Sequence, residues 1–477
     1  MVKYYKIFFS IVSIAFIIGF APASSSAQEI WSLEKCIKTA WDNNLNLANS
    51  DLATQATKIQ ERQAKEARYP SLNLSSGLNL NFGRSIDPTS NSFVAENFLS
   101  NNVSINSGVV LFDGFRIRDR IKQSSFDTEA SKRDKAQLER DIALSVASSY
   151  LNLLFAKENL TIATNTLAQS QQQLDLIKKM IGAGTRAESE AFDVEALLAS
   201  NERQMVIAQN NKDIALLQLK QLMLVEKYID VVSPENLLVE TDANMLQLDE
   251  VFQSAILHQE SLKASELRSK SSELGVKLAQ SQQYPTLSLG GSLGTSYSNK
   301  GIRIDGFNEE IVNQNIIFNG QQVEIGFIQD VPLFSNNPYF NQFDENISYG
   351  FGLSLSIPIY NNYQIKGSIE NAKLNSQRSQ NDVELLKQNL RTTIQQALAD
   401  ARAARSTLAA NEKALLTQRR AYENAQRKFD LGSGNTFELT NQKSRLDNAV
   451  LNVLVSKYDY IFKSKVIDFY MGKQIKI

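Results

Sequence analysis

Cysteine and histidine are almost missing: the 477-residue chain has one of each, Cys36 and His258. A lone thiol excludes an internal disulfide framework. One His and one Cys far apart in sequence offer neither a metal-ligand cluster nor a nucleophile–base pair, so catalytic residues, metal and cofactor are all expected to be none. Net charge is also close to absent, with 50 Lys and Arg against 51 Asp and Glu. No basic field therefore recruits nucleic acid. After the N-terminal segment no apolar run is long enough for a spanning helix, so a membrane would have to be entered by strands. Helix breakers are scarce in two places. Asp113 to Met180 has no proline and only Gly114, and Gln364 to Asp430 has no proline and only Gly367. A helix of nearly 70 residues extends about 100 Å at its rise per residue, too long to bury itself in a compact monomer.

The chain opens with Lys3 and Lys6, an apolar run from Ile7 to Phe20 and the small-residue stretch Ala21 to Ala27. That is the layout of a secretory signal peptide over residues 1–27, since the apolar run is too short to span a bilayer. Cys36 lies too far beyond it to accept a lipid at a new N-terminus. It shares an apolar stripe with Leu33, Ile37 and Ala40, which suits a buried, inert thiol.

The sequence is written twice, and a duplication constrains architecture before any local reading. Leu33 to Pro70 aligns without a gap on Leu248 to Pro285, an offset of 215, ending Tyr69-Pro70 against Tyr284-Pro285. Val103 to Met223 aligns on Phe351 to Met471, an offset of 248, so the second half carries 248 − 215 = 33 extra residues between Pro285 and Phe351. The helical parts repeat every seven residues: Leu160, Leu167, Leu174 and Ile181, matched by Leu408, Leu415, Tyr422 and Phe429. A sustained heptad means neighbouring helices winding round each other. Surfaces rich in Gln, Asn, Ser and Ala between the seams suit the wall of a hollow cylinder.

After Pro70 the period changes to two. Leu72, Leu74, Leu78, Leu80 and Phe82 alternate with Ser, Asn and Gly, and the return strand offers Val103, Ile105, Val109 and Leu111. The second half repeats this with Leu287, Leu289, Leu293 and Tyr297, then Tyr349, Phe351, Leu353, Leu355, Ile357 and Ile359. Each strand is near the length that crosses a bilayer when tilted. Four strands cannot close a barrel, and open edges in lipid are prohibitive, so copies must complete it together; three would give twelve strands. The connection Gly83–Asn102 reads as polar and short. The connection from Ser298 to Ser348 is long and reads as a cap or an extra hairpin.

This ordered set resembles the TolC family of outer-membrane efflux proteins over Leu33 to Met471. The resemblance rests on the duplication, the Tyr-Pro junctions and two short apolar-Gly-small motifs, Ala183-Gly184-Thr185 and Leu431-Gly432-Ser433. It implies an α+β membrane protein built from a duplicated helix-strand-strand-helix-helix unit. Its homotrimer would form a 12-stranded β-barrel continuous with a long antiparallel coiled-coil α-barrel. It also implies a location in the bacterial outer membrane, in the lipid bilayer and extending into the periplasm. The partners implied are a periplasmic adaptor protein and an inner-membrane transporter, with passive export of small molecules or proteins. The two motifs would be helix-ending turns that dock the adaptor. Gly182 and Gly434 would loosen both turns. Glu438, with Asn441 a turn further on, matches the family's periplasmic aperture, where three carboxylates would repel one another and bind cations; Glu190 is the first-half counterpart. Phe429 and Gly434 stand where the family's closed state can use tyrosine and arginine. The rival class is a trimeric outer-membrane structural or adhesive coiled-coil protein, but a stalk interrupted by strands in both halves argues against it.

The expected domains are a signal peptide over 1–27; periplasmic helices over 28–70; a transmembrane β-hairpin over 71–112; and a helical hairpin over 113–227 with its tip near 182–186. A linker follows over 228–247. The second repeat has periplasmic helices over 248–285, a hairpin with a long extracellular loop over 286–360, a helical hairpin over 361–471 with its tip near 431–436, and a tail over 472–477.

Overall fold

The computed structural model describes residues 30–87, 89, 91–227, 229–232 and 246–473. The expected signal peptide, most of the expected 228–247 linker and the last four residues lie outside the described residues. The duplication is visible element by element. Helices α1 (Leu33–Asn43) and α2 (Leu45–Glu66) are followed by strands β1 (Ser71–Asn81) and β2 (Phe98–Phe112), then α3 (Arg116–Gly182) and α4 (Ser189–Met223). The second half has α5 (Leu248–His258), α6 (Glu260–Ser281), β3 (Thr286–Ser298), β4 (Ile302–Phe318), β5 (Gln321–Asn336), α7 (Tyr339–Glu345), β6 (Ser348–Ser356), α8 (Gln364–Asp430) and α9 (Thr436–Tyr470). Both long helices, α3 and α8, have 67 residues, as the missing breakers allow. Among the described residues no helix is long and apolar enough to cross a membrane.

The chain falls into two units. The first holds residues 1–53, 132–264 and 384–477, and its described residues are mostly helical. One of its cores gathers Trp31, Cys36, Val146, Tyr150, Leu153, Leu219 and Met223 around α1, α3 and α4. A second joins Val251, Phe252 and Ala255 of α5 to Ile394, Leu398 and Ile467. A third, at the tips, packs Leu174, Ile177, Val194, Phe429 and Leu439. Each core is a line of seam residues, so burial follows the contact line between helices and leaves their other faces wet.

The second unit, residues 54–131 and 265–383, holds the strands. Four of them form an antiparallel sheet in the order β6-β3-β2-β1, with β1 and β6 as open edges. The register is decisive. Leu74 faces Ile105, Ile105 faces Leu293 and Leu293 faces Tyr349, while Leu289 faces both Val109 and Leu353. Partners in register share a face, so all four apolar sets lie on one side. Ser75 and Ser104 meet on the other through a 2.8 Å hydroxyl contact. Leu72, Leu74, Phe351 and Leu353 are 65–86% exposed, an apolar face with nothing over it in a single chain.

Several boundaries differ from expectation. Strand β2 starts at Phe98, because Ser100, Asn101 and Asn102 pair with both neighbours. The short connection is thereby trimmed at its far end. Leu111 falls in a bulge between Val110 and Phe112. Strand β6 stops at Ser356, leaving Ile357 and Ile359 outside the ladder, since Pro358 has no N–H to donate. The long connection is an extra hairpin, β4 paired with β5 over nearly its whole length. Both strand-to-helix junctions use two consecutive left-handed residues, Gly114–Phe115 and Asn362–Tyr363. At Gly114 a Cβ would lie 2.7 Å from Tyr284 Cβ, so only glycine fits there.

Candidate functional site: the helical tips

Both long helices end in the same hydrogen-bonded turn. Gly184 N–H donates to Ile181 O (2.9 Å) and Thr185 N–H to Met180 O (3.0 Å); Gly432 N–H donates to Phe429 O (3.0 Å) and Ser433 N–H to Lys428 O (2.9 Å). These are Schellman closures, in which a left-handed residue turns the chain back over the last carbonyls. Gly184 and Gly432 have φ of 72° and 74°. The hydroxyl that follows each glycine returns to the same carbonyl as its own N–H, Thr185 Oγ1 to Met180 O (2.9 Å) and Ser433 Oγ to Lys428 O (3.1 Å). The glycine and hydroxyl positions of both motifs therefore have structural work to do, whereas the leading apolar residue does not. Ala183 and Leu431 are exposed, Leu431 to 83%.

Of the two extra glycines, Gly434 differs from expectation. A Cβ on Gly182 would meet nothing, but one on Gly434 would lie 3.0 Å from Phe429 N and 3.2 Å from Lys428 C. Gly434 thus permits a close return of the chain on the end of α8 and does not loosen it. Asn435 then caps α9, its side chain accepting from Glu438 N–H at 2.7 Å.

The carboxylates sort into two environments. Glu438 is half-exposed and its Oε1 lies 3.2 Å from Lys428 Nζ, so within one chain the expected aperture acid already faces a cation. Asn441 is exposed, three residues further along α9. Glu190 instead bridges the two tips. Its Oε2 accepts a short hydrogen bond from the buried Thr436 hydroxyl and sits 3.6 Å from Arg186 Nη1.

Arg186 is the residue that sequence reasoning passed over. Its guanidinium stacks 4.5 Å from the Phe429 ring centroid and donates to Gly434 O (3.1 Å) and Phe429 O (3.3 Å). Its side chain is 14% exposed, a setting in which stacking and charge-assisted hydrogen bonds count for more than on an open surface. An arginine absent at 434 is thus present at its duplicate position, 434 − 248 = 186, and lies against residue 434 itself. The offset and the Arg186–Glu190 helical spacing were the signals that could have found it. Below this network, Lys443 and Asp447 form a largely buried pair on α9. Burial raises the Asp447 carboxyl above its ordinary range, and Lys443 opposes the shift. Among the described residues no group of three or more His, Cys, Asp and Glu side chains could hold a metal.

Comparison with known proteins adds four findings. Outer membrane protein TolC of Vibrio cholerae serotype O1 is 20% identical over 437 residues, 92% of this chain and 90% of that one. TolC of Salmonella enteritidis is 22% identical over 186 residues, 39% of this chain and 38% of that one, so there the matched stretch spans about two-fifths of the relative. Among solved structures, that of CusC, described by its transmembrane channel formation, superposes with a TM-score of 0.73 at 16% identity. It covers 93% of this chain and 92% of that one, and shows a shared fold. The model of the outer membrane efflux protein family matches residues 36–223 and 251–472. Those two stretches contain the duplicated helices, the four-stranded sheet and both tips, and the chain belongs to the outer membrane efflux protein family.

Proposed function

We infer that this chain is the outer-membrane channel component of an efflux system, a passive exit duct and not an enzyme. It resides in the outer membrane with its helices in the periplasm. The observation that carries the reading is the sheet: four strands with every apolar set on one face, Ser, Asn and Gly on the other, and two open edges. Lipid suits the first face and a water-filled lumen the second, while the edges require neighbouring copies because hydrocarbon offers no hydrogen-bond partners. Three copies give the twelve-stranded barrel. The segments 71–112 and 286–360 carry its strands, and 113–227 and 361–471 its helical hairpins.

The exposed Ala183 and Leu431, held by rigid glycine turns, are the contacts offered to a periplasmic adaptor, with Gly184, Thr185, Gly432 and Ser433 shaping them. An inner-membrane transporter supplies the energy. Glu438, with Asn441 beside it, lines the periplasmic aperture, where Lys428 moderates its charge. Glu190 belongs to the contact between tips and not to the aperture. Opening separates the tips, and the Arg186–Phe429–Glu190–Thr436 network holds them closed, a discrete packing that partner contacts can bias.

The test is conductance in planar bilayers together with drug susceptibility of a deletion strain. Stepwise, cation-blockable conductance and hypersensitivity on deletion are expected. A purified protein that forms no conducting unit, from a strain of unchanged susceptibility, would overturn the reading.

A further inference from the structure

The 33-residue insertion that distinguishes the second half forms the β4–β5 ribbon, turned by Asn319-Gly320 with φ of 53° and 75°. Asn-Gly with both residues left-handed is the tight turn whose twist matches a hairpin. The ribbon leaves the end of the sheet away from the strand-to-helix junctions, and its base is fixed. Gln342 of α7, 1% exposed, donates to Ser298 O (2.9 Å) and Asn337 O (2.7 Å) and accepts from Ser298 N–H (2.9 Å). Asn337 N–H closes the base on Gly301 O (2.9 Å). Tyr339 stacks on Phe343 and meets Tyr297 of β3. A side chain satisfied at three backbone points in a buried site holds one geometry.

Beyond that base the register sorts the ribbon into two faces. Val312 faces Phe327, Gln314 faces Ile325, Ile316 faces Val323, Asn308 faces Val331 and Gly306 faces Leu333. Glu310 is the only charged residue on that face from Gly306 to the turn. The opposite face is broken up by charge: it pairs Glu309 with Asp330 and Asn315 with Glu324, with the exposed Ile311–Ile328 pair between them. Yet Val312, Val323, Ile325, Phe327 and Leu333 are 36–47% exposed. An isolated two-stranded ribbon with an open apolar stripe is marginal in water and needs a cover. Lipid is a poor one, because both edges of the ribbon carry unpaired N–H and C=O groups.

We propose that the cover is the same ribbon of neighbouring copies: the Val312–Ile316–Val323–Ile325–Phe327 stripes pack on one another above the barrel mouth. The proposal rests on the reading that copies close the sheet, since β4 is continuous with β3, an interior strand of that sheet. Twelve strands spaced about 4.8 Å apart give a rim on the order of 20 Å across, and a 17-residue strand extends about 55 Å. Three ribbons rooted on such a rim are each longer than the gap between them.

The test places single cysteines in the full chain, whose own Cys36 is buried. Phe327→Cys and, on the opposite face, Ile311→Cys proteins are treated with a short bis-maleimide, with mass measured by light scattering on the same detergent sample. A trimeric particle in which Phe327→Cys shifts from monomer to covalent dimer on denaturing gels, and Ile311→Cys does not, is expected. A trimeric particle in which Phe327→Cys stays monomeric on the gel, as when the ribbon lies on the membrane, overturns the ribbon interface and leaves the channel reading standing. Equal cross-linking at both positions overturns the face assignment. A monomeric particle overturns both readings. Joining Gly301 to Asn337 with 302–336 removed must leave the trimer intact; its loss would make the ribbon a barrel element and also overturn the proposal.

Discussion

The guanidinium of Arg186 lies 4.5 Å from the ring centroid of Phe429, joining the tip of the first helical hairpin to that of the second within one chain. The cation arrives from the first repeat, and two backbone carbonyls and Glu190 fix its plane. Removing it leaves Glu190 held by Thr436 alone. Arg186→Ala is expected to lower stability by about 1–2 kcal/mol and to raise the open probability of single channels. Arg186→Lys keeps the charge without the planar fork, so it should fall between. Bilayer recordings in which Arg186→Ala gates like the parent would remove the latch.

Glu438 and Lys428 are both partly exposed, so their pairing contributes little stability and is screened by salt. Its consequence is electrostatic. Glu438→Gln is expected to reduce cation selectivity and divalent block, and Lys428→Ala to increase both, more so at low ionic strength. Reversal potentials under a salt gradient that do not respond to Glu438→Gln would take Glu438 out of the aperture.

The tip glycines predict a graded series. Gly432→Ala forces a left-handed residue with a side chain, at a cost of about 1–2 kcal/mol. Gly434→Ala is expected to cost more, because the atom it meets is the Phe429 backbone nitrogen. Gly182→Ala meets open space and should be neutral or stabilising by about 0.5–1 kcal/mol. Thermal unfolding of the three proteins gives the order, and a Gly434→Ala protein as stable as the parent would contradict the close-packed turn.

Asp447 predicts a pH dependence. Its native carboxyl is raised by burial, so the folded state holds that proton more tightly than the unfolded chain. The group's contribution is therefore greatest at low pH and declines as pH rises from the ordinary carboxylate value through the raised one. Asp447→Asn should remove that slope from the unfolding midpoint. Lys443→Met alone strands the buried carboxylate at a cost of about 3–5 kcal/mol, whereas Lys443→Met with Asp447→Leu should be nearly neutral. Equal losses in the single and double variants would refute the buried-pair account.

Cys36 is fully buried, and burial pushes its thiol up to about 12, against a smaller opposing effect of Lys35. Native protein at mildly alkaline pH is expected to resist maleimide and to label only after unfolding. Mass spectrometry of native and denatured samples checks this.

The repeat, the two uninterrupted long helices, the four alternating strands and the glycines that end the helices can all be read from residue order. These are local or periodic properties, decided by backbone sterics and by the spacing of apolar residues. Residue order also carried the Asn319-Gly320 turn, although the connection from Ser298 to Ser348 read equally as a cap or an extra hairpin. Tertiary structure alone decided the rest. The register that puts Leu74, Ile105, Leu293 and Tyr349 on one face depends on pairings between strands far apart in the chain. So does the environment of each tip acid. Glu190 and Glu438 occupy duplicate positions with the same helical spacing, yet one meets Arg186 and the Thr436 hydroxyl and the other Lys428. A periodic pattern specifies the element that carries a side chain; the opposing element, placed by packing of the whole chain, determines what that side chain meets.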